Sequence, residues 1–128
     1  MPLVTVTLRR PRDAAFKRTL LDTIHAGLVG AGVPPTDRFQ RVLTPAADDF
    51  VVDPRYPDLA SDRTTDFVLV EILWSVGRSV KIKRKLVADL TAALKSAAGL
   101  DPEQVMIVFA ETAWENWAFA GGRLIHAA

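Results

Sequence analysis

The chain has 128 residues, about the length of one domain, and its 49% apolar and 24% charged residues support a buried core while excluding disordered and fibrous classes. The formal net charge of +1 gives no electrostatic case for nucleic acid or a membrane surface as partner. Cysteine is absent, which removes disulfides, thiolate metal sites and a cysteine nucleophile, and His25 and His126 lie too far apart in sequence to suggest a metal site.

The chain opens Met1-Pro2-Leu3-Val4-Thr5-Val6-Thr7-Leu8-Arg9-Arg10, with its charges after the apolar stretch, the reverse of a signal peptide. That stretch is also too short to span a bilayer, so a soluble cytoplasmic protein is expected. Residues 3–8 alternate with the period of a strand, which Pro11 ends. Asp13 is placed to cap a helix whose Phe16, Leu20, Ile24 and Leu28 recur every four residues, with Arg12, Lys17, Arg18 and Asp22 on the other side. Gly30 and Gly32 end it, and Pro34-Pro35 forbid its return. Residues 39–43 read as a short strand.

Residues 44–66 carry Pro45, Pro54 and Pro57 and one apolar run, Phe50-Val51-Val52, where a short extra strand or hairpin is expected. Residues 67–74 are almost continuously apolar and suit a strand covered on both faces. After the Gly77-Arg78-Ser79 turn, with Ser79 as cap, Ile82, Leu86, Leu90 and Leu94 predict a second amphipathic helix that ends at Gly99. Lys81, Lys83, Arg84 and Lys85 are expected to face water, too short and isolated a basic run for a nucleic-acid site. A turn at Asp101-Pro102 precedes a strand over 105–109, and the rest holds Trp114, Trp117, Phe119 and Gly121-Gly122.

The order is two β-α-β units, about 1–60 and 61–128, in one domain. Their pairing predicts an α+β fold: a four-stranded, mainly parallel or mixed sheet with two helices on one face. The other face is then open. Because the strand over 67–74 is apolar on both sides, something must cover it, and a second copy of the chain is the simplest covering.

Pro2 is a candidate for chemistry. Removal of Met1 would leave a secondary amine at the start of a core strand. An α-amine has a reference pKa of about 7.7–8.0, and an apolar site disfavours its cationic form. Such an amine can act as general acid, base or nucleophile. A proline at this position by itself, however, is common and means little. Asp37 sits in a turn where it serves equally well as a carboxylate facing a ligand or as a turn residue bonding its own backbone. Arg78 lies where a strand ends and a helix begins, a favoured place for anions, and its guanidinium can hold a carboxylate through two bonds.

Several features together resemble the tautomerase superfamily, and among its branches the malonate semialdehyde decarboxylase group. They are the Met1-Pro2 start, the two β-α-β halves, the Pro34-Pro35-Thr36-Asp37-Arg38-Phe39-Gln40 and Gly77-Arg78-Ser79 turns, and Trp114-Glu115-Asn116-Trp117-Ala118-Phe119 followed by Gly121-Gly122. The resemblance covers nearly the whole chain and rests on order and spacing. It implies a homotrimer in which the amino-terminal proline of each subunit works on a small 2-oxo or 3-oxo acid, without metal or organic cofactor. It makes Pro2, Asp37 and Arg78 catalytic, with Arg78 holding the substrate carboxylate, and makes Trp114, Trp117 and Phe119 the substrate-binding wall. It matches Glu115 only weakly to a water-activating acid and assigns His25 no role. The chain departs from the group at Val76, where a second arginine belongs, so decarboxylation is less secure than proton transfer. Arg38, Arg63 and Arg123 are candidates to replace it. The alternative is a non-catalytic trimeric ligand- or protein-binding module of the same fold, or an unrelated ferredoxin-like domain in which Pro2 has no part.

Overall fold

The computed structural model describes residues 1–126 of the chain. Strand β1 (Leu3–Leu8), helix α1 (Ala14–Gly30) and strand β2 (Phe39–Leu43) form the first half; β3 (Val68–Ser75), α2 (Val80–Ala98) and β4 (Val105–Thr112) form the second. The sheet order is β2-β1-β3-β4. Each half pairs its two strands in parallel, and the halves join through an antiparallel β1–β3 ladder, so the sheet is mixed.

Local chemistry sets the helix ends. The Asp13 carboxylate accepts from the Phe16 amide at 2.8 Å, and the Ser79 hydroxyl accepts from the Ile82 amide at 3.2 Å. At the end of α2, Gly99 takes φ 68°, a left-handed conformation that costs glycine little. The core lies between the helices and one face of the sheet. Val4, Val6, Val70, Ile72 and Trp74 meet Leu20, Ile24, Leu28, Leu86, Leu90 and Leu94, all fully buried. Each such aliphatic side chain contributes about 1.5–3 kcal/mol by leaving water.

Three expectations need correction. No strand or hairpin forms around Phe50-Val51-Val52. Ala47–Asp49 make one 3₁₀ turn, and the Asp53 carboxylate takes the amides of Arg55 and Tyr56, which a ladder would need. Val51 is left 90% exposed. Ile82, the first member of the α2 stripe, is 40% exposed, because near the helix N-terminus it borders a hollow whose α1 side is lined only by the small Gly27, Gly30 and Ala31. Lys83 does not simply face water but reaches Glu111 of β4 at 2.8 Å.

The second face of the sheet is only partly covered: Phe119 stacks on Phe39 at one end, and the 50–57 loop shares a groove with Leu69 and Met106 at the other. The register sets Phe39, Leu3, Leu73 and Ala110 in one row across it. Arg41, Thr5, Glu71 and Val108 form the next row, and Leu43, Thr7, Leu69 and Met106 the third. Two largely apolar rows therefore flank one that carries charge.

Candidate functional site

Because β3 and β4 run opposite to β1 and β2, the starts of β1 and β2 share one end of the sheet with the ends of β3 and β4. The α2 N-terminus follows β3 at the same end. That brings Pro2, Asp37, Arg78 and the segment after β4 together across more than a hundred residues of chain.

Pro2 is buried. The amino group of Met1, one residue before it, lies 3.3 Å from Asp37 Oδ2. The Asp37 side chain is only 12% exposed, and its Oδ1 is buried with no hydrogen-bond partner. Its backbone amide closes the turn by donating to the Pro34 carbonyl at 3.0 Å, while the carboxylate stays turned toward the chain start. A buried acceptor without a partner is costly, so this oxygen is poised to accept a donor from outside the chain.

Arg78 donates from Nη1 to the Ser75 carbonyl at 2.7 Å, and its guanidinium carbon lies 4.3 Å from the centroid of a Trp74 ring. Stacking and this one bond hold the guanidinium in place, and among the described residues its other donors have no partner. Burial holds its pKa below the usual arginine value, while the charges of Glu111 and Asp37 pull the other way. Among the described residues Arg78 is in no ion pair.

The segment after β4 folds onto this end. Trp117 Nε1 donates to Ser75 Oγ at 2.9 Å, and Trp114 Nε1 donates to the Val76 carbonyl at 3.1 Å. Phe119 stacks on Trp117 with centroids 5.8 Å apart, and on its other side meets Phe39 at 6.0 Å. The three predicted aromatics therefore gather here, and Phe39 extends their wall to β2. Sequence reasoning missed Phe39 and Ser75. The signal for Phe39 was a large aromatic on the exposed register of a short strand, directly after Asp37-Arg38. Nothing in an apolar strand marked Ser75 as the anchor of an indole.

The arginines proposed to replace the second one each have other neighbours. Arg38 is paired with Asp22 and bonded to Gln40. Arg63 lies at the far end of β3, donating to the Asp53 carbonyl and packed over Phe67, where it lines a groove of about 530 Å³ with the 50–57 loop. The Arg123 guanidinium folds against Gly121 in the turn that follows Phe119. Glu115 is exposed on the Trp114–Asn116 turn, and His25 contacts the Pro35 carbonyl on the outside of α1. Among the described residues no group of three or more His, Cys, Asp or Glu is gathered to hold a metal, and no helix is long and apolar enough to cross a membrane.

With this geometry in view, similarities to known proteins become informative. The family model described as "Tautomerase enzyme" matches residues 37–120. The probable tautomerase YusQ of Bacillus subtilis (strain 168) is 29% identical over 124 residues, covering 96% of each chain. A crystal structure of malonate semialdehyde decarboxylase is 31% identical, with a TM-score of 0.87 over 95% of this chain and 93% of that one. The fused 4-OT wild-type symmetric trimer shares the fold at 23% identity and a TM-score of 0.74, over 94% of each chain. The chain belongs to the tautomerase family.

Proposed function

We propose that the chain is an enzyme in which the Pro2 amine, exposed by loss of Met1, moves a proton on a small 2-oxo or 3-oxo acid. The observation that carries this reading is the buried Asp37 carboxylate, whose Oδ2 lies 3.3 Å from the Met1 amino group one residue before Pro2 and whose Oδ1 has no partner, at the sheet end that also holds Arg78. Arg78 grips the substrate carboxylate. The neutral amine takes a proton from the carbon beside the carbonyl, and the ammonium so formed returns it to the other end of the enol system. Asp37 stabilises the ammonium, which raises the amine's pKa against the effect of burial. The aromatic wall of Trp114, Trp117, Phe119 and Phe39 excludes water and strengthens these charge interactions.

The same groups support decarboxylation of a 3-oxo acid, in which the carbon–carbon bond electrons move into the carbonyl and the ammonium protonates the resulting enolate. They support hydration where Asp37 orients the water. Keto–enol tautomerisation asks least of the site, because it needs one carboxylate grip and one proton. Malonate semialdehyde decarboxylase, the relative at 31% identity, favours the oxo-acid class. The partly covered sheet face and the trimeric state of the fused 4-OT structure favour a homotrimer.

Intact-mass measurement of the native protein tests the first step, with loss of one methionine expected. Turnover of an arylpyruvate enol by the processed chain and by Pro2→Ala tests the second. Loss of turnover in a folded Pro2→Ala variant is expected; equal turnover leaves a binding module as the better reading.

A further inference from the structure

Whatever covers the open face of the sheet must cover its charged row too. Phe39, Leu43, Met106 and Val108 in the three rows are 50%, 48%, 45% and 39% exposed, an apolar area large for a lone surface. Between the two outer rows stand Arg41 of β2 and Glu71 of β3, one on each side of Thr5. Two strand spacings put their backbones about 10 Å apart. Arg41 donates from Nε to Thr5 Oγ1 at 2.8 Å, and neither Arg41 nor Glu71 is in an ion pair among the described residues. The face is also slightly hollow here, with a cavity of about 230 Å³ whose lining includes both side chains.

With a second copy of the chain over this face, as the homo-oligomer reading requires, we propose that Arg41 of one copy pairs with Glu71 of the next. The inference deepens the homo-oligomer reading and is independent of the chemistry assigned to Pro2. A partner that dries the apolar rows also strips water from the middle one, and a buried charge without a counter-charge is strongly destabilising. The occupant must therefore bring a carboxylate to Arg41 and a cation to Glu71. The chain itself presents one of each on a single row. A head-to-tail contact that joins Arg41 to the next Glu71 leaves one cation and one carboxylate unsatisfied at the ends of the array, and closing the ring satisfies both. Elsewhere the chain matches such charges internally, as with Lys83 and Glu111 at 2.8 Å.

Sedimentation velocity over a concentration series, on the full chain and on Arg41→Glu, Glu71→Arg and the double exchange, tests this directly. The unaltered chain is expected to assemble. Each single reversal should raise the concentration of half-dissociation by roughly a hundredfold or more, the size expected when a buried charge loses its partner. The double exchange should return it to within about tenfold of the original. Circular dichroism checks folding, and if a single reversal fails to fold, recovery in the double exchange still decides. Singles that assemble like the unaltered chain would overturn the pairing, as would a double exchange no better than the singles. If the unaltered chain stays monomeric throughout, both the pairing and the homo-oligomer reading fall, while turnover of the enol reports separately on Pro2.

Discussion

At the far end of the sheet, Arg10 reaches Asp66 through two nitrogens at 2.8 and 3.0 Å, and Arg12 approaches the same carboxylate at 3.7 Å. At the near end, Arg78 pairs with no carboxylate among the described residues, and one oxygen of Asp37 is buried without a partner. Each end brings together an arginine that follows the first strand of one half and an acid that precedes a strand of the other half. At the far end the charges are about half exposed and answer each other, which leaves nothing for a ligand. At the near end Asp37 is mostly buried and Arg78 half-buried, their pairing is incomplete among the described residues, and the chain start lies beside Asp37. Charge content is similar; commitment of that charge separates a structural corner from a candidate site.

The most severe way to erase this difference is to keep the amino terminus blocked. A variant that retains Met1, or carries an added residue before Pro2, should lose about 10²- to 10⁴-fold in enol turnover, the usual contribution of a positioned acid–base group. Rapid kinetics on material of verified mass checks it. Next comes a matched pair of substitutions. Arg78→Ala should cost about a hundredfold in kcat/KM, mostly through KM, because a charged carboxylate loses its bonded partner. Arg10→Ala should leave kcat/KM unchanged and shift stability by at most about 1 kcal/mol, as for an exposed ion pair. Equal effects at the two ends would erase the distinction.

A gentler test gives the near end more charge. Val76→Arg places a second cation two residues from Arg78. It should improve KM for a doubly charged oxo acid by about tenfold relative to a singly charged one, as a close charge pair in a partly shielded site predicts. Steady-state kinetics on the two substrates measures the ratio. The smallest effect lies in the loop at the far end. The amides of Arg55 and then Tyr56 hold the Asp53 carboxyl below its ordinary 3.8, with burial opposing and Arg63 adding to the lowering. A depressed folded value means the stabilisation is present above the unfolded value and is lost as pH falls through the folded one. Protection of the Arg55 and Tyr56 amides, measured against the free-amide exchange rate at the same pH, should therefore fall as pH drops below about 3.8. Asp53→Asn should show no such pH step.

Much of the fold was legible along the chain. Four-residue spacing marked both helices, Asp13 and Ser79 acted as their caps, and the parallel pairing within each half followed from β-α-β order. The loop over 44–66 departs from expectation because Phe50-Val51-Val52 has strand composition while the amides that follow it are taken by the Asp53 carboxylate. At the site, Arg78 was readable from its place between strand and helix. Asp37 was not separable from an ordinary turn residue until its burial and its contact with the chain start were visible. Phe39 carried one local signal, its place directly after Asp37-Arg38, but its role in the wall depends on Phe119, eighty residues away in the chain.

The order of residues by itself determined the helices, their caps and the parallel halves, because those depend on groups a few positions apart. Only the tertiary structure decided that the halves join through antiparallel β1 and β3, which sets Pro2, Asp37, Ser75, Arg78 and Trp117 at one sheet end. Periodicity carries no information about which strands become neighbours or in what direction. That choice is made by burying one apolar face of every strand at once, and the charges left uncommitted follow from it.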